Sequence, residues 1–134
     1  MHEAVSQRNA PFVRRILGIA CAIGFLSVAG GAFGAHALRE LVSPERLEVF
    51  HTGTRYAMVH AVVLLVVGLL AERRASRALR FAGGAFTVGV LLFTGSLWAL
   101  VLADFGALGM ITPFGGLSLL AGWLSLGLGA WRRE

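Results

Sequence analysis

The sequence predicts an all-α integral membrane protein: a four-helix bundle with a short interfacial helix between spans one and two. Of its 134 residues, 57% are hydrophobic and 14% are charged, whereas a soluble domain usually carries about 25% charged residues. Four long runs contain no formal charge, and a spanning helix needs roughly 20 apolar residues. This composition excludes disorder. The single cysteine, Cys21, excludes a scaffold built on disulfides within the chain.

The apolar runs give the boundaries of the spans, and the second run is the shortest. The runs do not alternate between apolar and polar residues as barrel strands do, so we interpret them as helices. The predicted spans are residues 16–38, 56–71, 81–103 and 107–131. Together they form one membrane domain over residues 16–131, preceded by a tail at residues 1–15.

The segment before span two has the features of a helix start. Ser43, Pro44 and Glu45 supply an N-cap, a proline at the first helical position and an acid in the first turn. Gly53 then favours a break or bend in the chain. We therefore expect residues 43–52 to form a separate short helix in the plane of the interface.

The arginines indicate the orientation, because all twelve basic residues are arginines and they flank the apolar runs. Three lie in the first loop, at Arg39, Arg46 and Arg55. The other nine lie in the tail, between spans two and three and at the C-terminus: residues 8, 14, 15, 73, 74, 77, 80, 132 and 133. The positive-inside rule then places both termini in the cytoplasm.

No basic stripe with interleaved aromatics is present, so we expect no nucleic-acid partner.

Residues 1–37 also have features of a secretory signal. They combine a basic start, an apolar stretch and Ala35-His36-Ala37 as a cleavage site. The apolar run is longer than the roughly 7–15 residues of a signal core. We therefore expect this segment to remain as the first span.

Small residues recur four apart within the spans, a spacing that lets helix backbones approach closely. Such pairs are Gly30/Gly34, Ala85/Gly89, Gly95/Ala99, Ser118/Gly122 and Ser125/Gly129. We expect them to pack helices within one monomer, and the alternative is a contact between copies of the chain.

Pro113 and the glycines beside it predict a packing kink in span four, and the alternative is a broken helix of the kind that lines transporter sites.

Six polar residues are predicted to converge in the outer half of the bundle. They are His36, Arg55, Tyr56, His60, Ser96 and Thr112. Ionisable groups inside spans are candidates for function. In one interpretation, His36 and His60 hydrogen-bond with neighbouring groups and tie helices together. In the other, the two histidines ligate haem iron or another metal.

The sequence contains no familiar catalytic motif. It has neither H-E-x-x-H nor G-x-S-x-G. Gly30-Gly31-x-x-Gly34 lies inside a span and not after a strand, as a dinucleotide fingerprint would. We therefore expect a protein that is not an enzyme, and we assign no catalytic, metal-binding or cofactor-binding residue and no cofactor.

Several motifs together resemble the domain-of-unknown-function family 423. They are Gly31-Ala32-Phe33-Gly34-Ala35-His36-Ala37-Leu38, Arg55-Tyr56-Ala57-Met58-Val59-His60, Leu92-Phe93-Thr94-Gly95-Ser96-Leu97, Ile111-Thr112-Pro113-Phe114-Gly115-Gly116 and Gly122-Trp123. The resemblance covers about Ile16 to Trp131. Thr94 stands where serine is common in the family, and Trp98 where tyrosine is common. The family comprises small bacterial inner-membrane proteins, and a similarly sized animal transmembrane protein resembles them. The resemblance implies four membrane helices in a bacterial inner membrane and supplies no activity or catalytic residues.

The expected function is therefore non-enzymatic: binding of lipid or of a partner protein, or a role in an assembly. Its expected partners are the lipid bilayer and either a second copy or another protein. The alternative is a small transporter or channel component, which requires an oligomer because one four-helix monomer is too thin for an aqueous path. A further alternative is a haem- or metal-binding redox component that uses His36 and His60.

Overall fold

A computed structural model describes residues 2–74 and 76–131, with side chains described between residues 10 and 129. The described residues are helical, with no strand among them. The four α-helices are α1 (His2–His36), α2 (Pro44–Arg73), α3 (Arg77–Ala103) and α4 (Thr112–Trp131). Short 3₁₀ helices at Leu38–Glu40 and Gly106–Met110 lie in the connections after α1 and α3. By length and composition, four helices among the described residues are long and apolar enough to cross a membrane.

Helix α1 begins at His2 and continues without a break through Pro11 to His36. It therefore passes through the residues assigned to the tail and into the first predicted span. At 35 residues, it is about 50 Å long and exceeds the roughly 30 Å hydrocarbon core of a bilayer.

Helix α2 corrects the expectation of a separate interfacial helix at residues 43–52. The predicted start is confirmed, because the Ser43 side chain accepts a hydrogen bond from the Arg46 amide at 3.4 Å and Pro44 is the first helical residue. However, the helix then continues through Gly53 to Arg73. A Cβ atom at Gly53 would stand 3.2 Å from Cδ1 of Trp98. The glycine thus allows α3 to approach closely and does not break the helix.

Asp104 ends α3, and Pro113 lies at the start of α4. Asp104 adopts a left-handed conformation, with φ 52°, and caps α3. Pro113 lies in the first turn of α4. A proline at that position loses no helical hydrogen bond, because the first amides of a helix have no partner within it. Pro113 therefore lies at the start of α4 and does not interrupt it, and the predicted span at residues 107–131 is divided between the 3₁₀ helix at Gly106–Met110 and α4.

Neighbouring helices are antiparallel, so the bundle has two distinct ends. The terminal end holds the start of α1, the end of α2, the start of α3 and the end of α4. The loop end holds residues 37–43 and 104–111. Helix α1 packs along α2 and also reaches α3, while α4 packs along α3. Among the described residues, no Cα atom of α1 comes within 8 Å of one in α4, so these two helices flank the α2–α3 pair.

The core lies where α1, α2 and α3 meet, and α4 covers one side of it. Leu64, Val67 and Phe86 are fully buried there. The predicted close packing within one monomer is confirmed at several small residues. A Cβ at Gly30 would lie 2.7 Å from Trp98, one at Gly89 would lie 2.5 Å from Leu119, and one at Gly122 would lie 2.7 Å from Phe86.

Candidate functional site

The six polar residues of the predicted cluster fall into separate contacts. Ser96 and Thr112 join α3 to α4 through a hydroxyl–hydroxyl hydrogen bond of 2.7 Å. Tyr56 stacks on His60 within α2, with ring centroids 6.1 Å apart. These four residues therefore form two pairs: Ser96 and Thr112 lie near the loop end, whereas Tyr56 and His60 lie near the middle of α2.

The other two members lie apart from these pairs. Arg55 is exposed and bonds to Glu48 and Thr52 on its own helix. His36 is exposed at the end of α1. A Cβ at Gly34 would lie 2.8 Å from His51, and His60 is nine residues further along α2, about 13 Å deeper. Hence the structure does not bring His36 to His60.

His60 is the buried polar centre of the bundle, with 4% of its surface exposed. Its Nδ1 lies 2.7 Å from the Tyr56 carbonyl oxygen, and its Nε2 lies 3.2 Å from Nε1 of Trp123. A carbonyl can only accept and an indole N–H can only donate. The ring is therefore the neutral tautomer with its proton on Nδ1, and both nitrogens are in use.

Aromatic rings surround His60 on the side facing α3 and α4. The Phe86 centroid lies 5.5 Å from the His60 ring and 5.5 Å from Trp123, and Tyr56 meets Phe93 at 4.5 Å. These rings exclude water from the imidazole and hold its plane. An axial metal ligand needs a free ring nitrogen, so His60 would have to give up Trp123 or Tyr56 to bind one. Within the described part of the chain, no three His, Cys, Asp or Glu residues are grouped to hold a metal ion.

Trp98 forms a second polar centre, which the sequence reasoning did not identify. Its indole Nε1 donates to the Phe50 carbonyl at 3.3 Å and to the Thr54 hydroxyl at 3.2 Å. Its ring stacks on Phe50 with centroids 5.1 Å apart. Thr94, one turn away, donates to the Gly53 carbonyl at 2.9 Å. The only sequence signal for this contact was the pair of glycines, Gly30 and Gly53, that the indole covers.

Arg46 forms a third centre at the loop end, also missed from the sequence. Its guanidinium pairs with Asp104 and donates to the carbonyl oxygens of Leu100, at 3.2 Å, and Val101, at 2.7 Å. A cation at a helix C-terminus is favoured because the last carbonyls have no partner in the helix. Arg46 thereby holds the start of α2 to the end of α3.

The two ends of the bundle differ in charge. At the loop end each arginine has an acidic partner: Arg39 pairs with Glu40, Arg46 with Asp104 and Arg55 with Glu48. With Glu45, the acids at this end number four against three arginines. The sequence assigns the other nine arginines and only Glu3, Glu72 and Glu134 to the terminal end. The net positive charge of the chain therefore resides at the terminal end.

The helices and their contacts define an α-helical membrane protein with four apolar helices, whose polar side chains bond mainly to its own backbone. The chain belongs to a family described as "Protein of unknown function (DUF423)", which matches residues 30–116. The predicted family resemblance is thereby confirmed. No solved structure matches the chain.

Similar proteins of several bacteria are also named as membrane proteins. A UPF0382 membrane protein of Staphylococcus haemolyticus is 40% identical, over 83% of this chain and 88% of its own. The UPF0382 membrane protein YwdK of Bacillus subtilis is 39% identical, over 75% and 83%. The UPF0382 inner membrane protein YgdD of Escherichia coli is 35% identical, over 89% and 91%. The chain is therefore a membrane protein of an uncharacterised family.

Proposed function

We propose that this chain acts without catalysis, as a small membrane component that binds lipid or a partner protein and supports an assembly. The observation that carries this proposal is the use of the polar side chains within the spans. His60 uses both ring nitrogens inside the bundle, and Thr94 bonds to the backbone of the neighbouring helix α2. Groups committed in this way stabilise the helices and are not available to reacting substrates.

The outer surface supports a binding role, because it offers large apolar side chains to its surroundings. Helix α4 contacts mainly α3, and its outward residues include Phe114, Leu117, Leu120, Leu124 and Leu128, all more than half exposed. Such a face suits lipid chains or the helix of a partner.

The chain is proposed to lie in the bacterial inner membrane with both termini in the cytoplasm. The surplus of arginines at the terminal end supports this orientation through the positive-inside rule.

Native mass spectrometry of the protein released from a mild detergent tests this function. We expect a colourless protein that carries bound lipid, a second copy or a discrete partner protein. A haem or metal adduct would overturn the proposal in favour of a redox component. Solute flux into liposomes containing the purified protein would overturn it in favour of a transporter, provided that His60→Gln abolishes the flux while the protein stays folded.

A further inference from the structure

Helices α1 and α3 run parallel to each other and border a cavity of about 210 Å³ near the middle of their spans. Leu26 lines it from α1, Leu91 from α3 and Ala57 from α2. Gly95 of α3 also lines it, and among the described residues no atom of another helix lies within 4 Å of the Cβ position of Gly95. The side chains of the two helices therefore do not fill the space between them at this depth.

The polar side chains that line this cavity are already committed to the backbone. Ser27 donates to the Ile23 carbonyl at 2.7 Å, and Thr94 donates to the Gly53 carbonyl at 2.9 Å. The indole N–H of Trp98 donates to α2. Because the lining keeps no hydroxyl or indole proton for a ligand, it favours a hydrocarbon occupant over a polar one.

The same two helices each carry an arginine on the terminal side of the cavity. Arg15 precedes Leu26 on α1 by eleven residues, and Arg80 precedes Leu91 on α3 by eleven residues as well. Eleven residues are about three helical turns, so each arginine lies on the same helix face as its leucine, about 16 Å nearer the terminal end. That distance is about half of the roughly 30 Å hydrocarbon core, which is the depth of one leaflet. We call the surface between these four residues the α1–α3 groove.

The positive charges of the two helices meet at the terminal end of the α1–α3 groove. The guanidinium carbon of Arg80 lies 5.6 Å from the centre of the Phe12 ring, which brings this cation of α3 against α1. Arg15 is exposed and lies three residues after Phe12, so the two are neighbours on the surface of α1. Among the described residues, no carboxylate pairs with Arg15. An anionic group between the two arginines would be attracted by both charges.

We propose that the α1–α3 groove binds one anionic phospholipid of the leaflet at the terminal end. Its phosphate lies between Arg15 and Arg80, and one acyl chain follows the groove to the cavity at Leu26 and Leu91. The occupant is a phospholipid because an anionic head joined to a hydrocarbon chain one leaflet long matches both the charge and the cavity. Basic pockets between membrane helices bind anionic headgroups in this way. The site names the lipid within the binding role proposed above, and so rests on that role.

The test is native mass spectrometry of the full chain in a mild detergent, titrated with phosphatidylglycerol or with phosphatidylethanolamine of identical acyl chains. We expect phosphatidylglycerol, whose headgroup is anionic, to bind with a stoichiometry of one. We expect phosphatidylethanolamine, whose headgroup has no net charge, to bind at least about fivefold more weakly, which is the factor for one arginine beside an anionic headgroup.

Two arginine variants locate the headgroup. Arg15→Gln and Arg80→Gln each remove one charge from the groove, and each should weaken phosphatidylglycerol binding by about fivefold. The matched control is Arg73→Gln, which removes a charge from the same end of the bundle. Arg73 lies on the exposed face of α2 that carries Val66, opposite Ala57. The control should bind phosphatidylglycerol as the parent does.

Gly95→Leu tests the acyl chain and keeps the test valid if an arginine variant fails to fold. The new side chain begins at a position with no neighbouring atom within 4 Å, so the fold can accept it while it fills the cavity. It should weaken phosphatidylglycerol binding by about threefold or more, because each displaced methylene group gives up several van der Waals contacts. The matched control is Gly127→Leu on α4, whose Cβ position is equally free of other helices among the described residues, and it should bind as the parent does.

Equal binding of phosphatidylglycerol by Gly95→Leu and Gly127→Leu would overturn the path of the acyl chain. Equal binding of the two lipids by the parent, or equal losses in Arg15→Gln and Arg73→Gln, would overturn the headgroup site. A dimer that Gly95→Leu converts to a monomer with unchanged lipid binding would assign the groove to a second copy and overturn the proposal. These outcomes differ from failure of the proposed function, in which the protein would carry a haem or metal or would conduct solutes.

Discussion

Glycines within the spans mark the positions where a second helix comes closest. At Gly115 a Cβ would stand 2.4 Å from the backbone nitrogen of Phe93 and 2.8 Å from its Cα. Backbone atoms cannot rotate away as a side chain can. The first turn of α4 is therefore held against α3 at a distance that only glycine permits.

Gly115→Ala should destabilise the protein by about 1–3 kcal/mol, the usual cost of adding a methyl group to a packed contact. Thermal unfolding in detergent measures the effect. Among the described residues, no atom of another helix lies within 4 Å of the Cβ position of Gly127 on the same helix, so Gly127→Ala is the matched control and should not destabilise. Equal losses in the two variants would contradict a specific role for the contact with Phe93, because helix propensity favours alanine over glycine at both positions.

At the level of elements, Trp98 on α3 joins three helices. Its six-membered ring covers Gly30 on α1, while its Nε1 bonds to α2 at Phe50 and Thr54. A smaller side chain would leave a cavity between the helices and remove both hydrogen bonds that the indole donates to α2. The packing of α1 and α2 on α3 at the loop-end half therefore depends on this residue.

Trp98→Ala should cost about 3–5 kcal/mol, as in other cores, measured by unfolding in a detergent titration. Phe25→Ala is the control, because Phe25 is exposed on α1, and it should change the stability little. Trp98→Tyr should retain more stability than Trp98→Ala, since tyrosine keeps an aromatic ring and a polar tip. If Trp98→Ala and Phe25→Ala lose the same stability, the indole does not hold the helices together.

Two serines of α4 attach it to α3, because their hydroxyls donate hydrogen bonds to the backbone of α3. Ser118 donates to the Ala85 carbonyl at 2.8 Å, and Ser125 donates to the Ala78 carbonyl at 3.0 Å. Both serines belong to the small-residue pairs of span four, so the same positions provide close approach and hydrogen bonds.

Replacing Ser118 and Ser125 together by alanine should lower the free energy of unfolding by about 1 kcal/mol, at roughly 0.6 kcal/mol for each membrane hydrogen bond. The same detergent titration measures it. Thr87→Ala is the control, because its hydroxyl bonds to Gly83 within its own helix. A double serine variant as stable as the parent would mean that packing alone attaches α4.

The helices and their caps could be predicted from the sequence, whereas the contacts between helices could not. The four helices follow from apolar runs, which are local, and the cap at Ser43 follows from three adjacent residues. The role of Gly53 depends on Trp98, which lies on another helix, so the expected interfacial helix was wrong. His60 was identified as a site residue, yet its partner Trp123 is 63 residues later. The sequence does not show which helix faces pack together, so the contacts of Trp98 and Arg46 could not be predicted from it.

For the whole molecule, the separation of charge along the bundle leads to a test of orientation. In a Cys21→Ala background, Glu40→Cys places a single thiol at the loop end and Glu72→Cys places one at the terminal end, both at exposed positions. A membrane-impermeant maleimide added to spheroplasts should label residue 40 and should reach residue 72 only after lysis. The reverse pattern would contradict the proposed cytoplasmic termini.

The polar side chains of the spans hold the four helices to one another, and His60 joins α2 to α4 at their centre. Nitrogen-15 NMR of the histidine-labelled protein in detergent measures this directly, with His60→Gln assigning the signal and Trp123→Phe removing the Nε2 partner. We expect a neutral His60 ring with its proton on Nδ1, and an Nε2 resonance that shifts in Trp123→Phe. A proton on Nε2, or an Nε2 resonance unaffected by Trp123→Phe, would contradict the internal role of His60 and return it to the candidates for a ligand site.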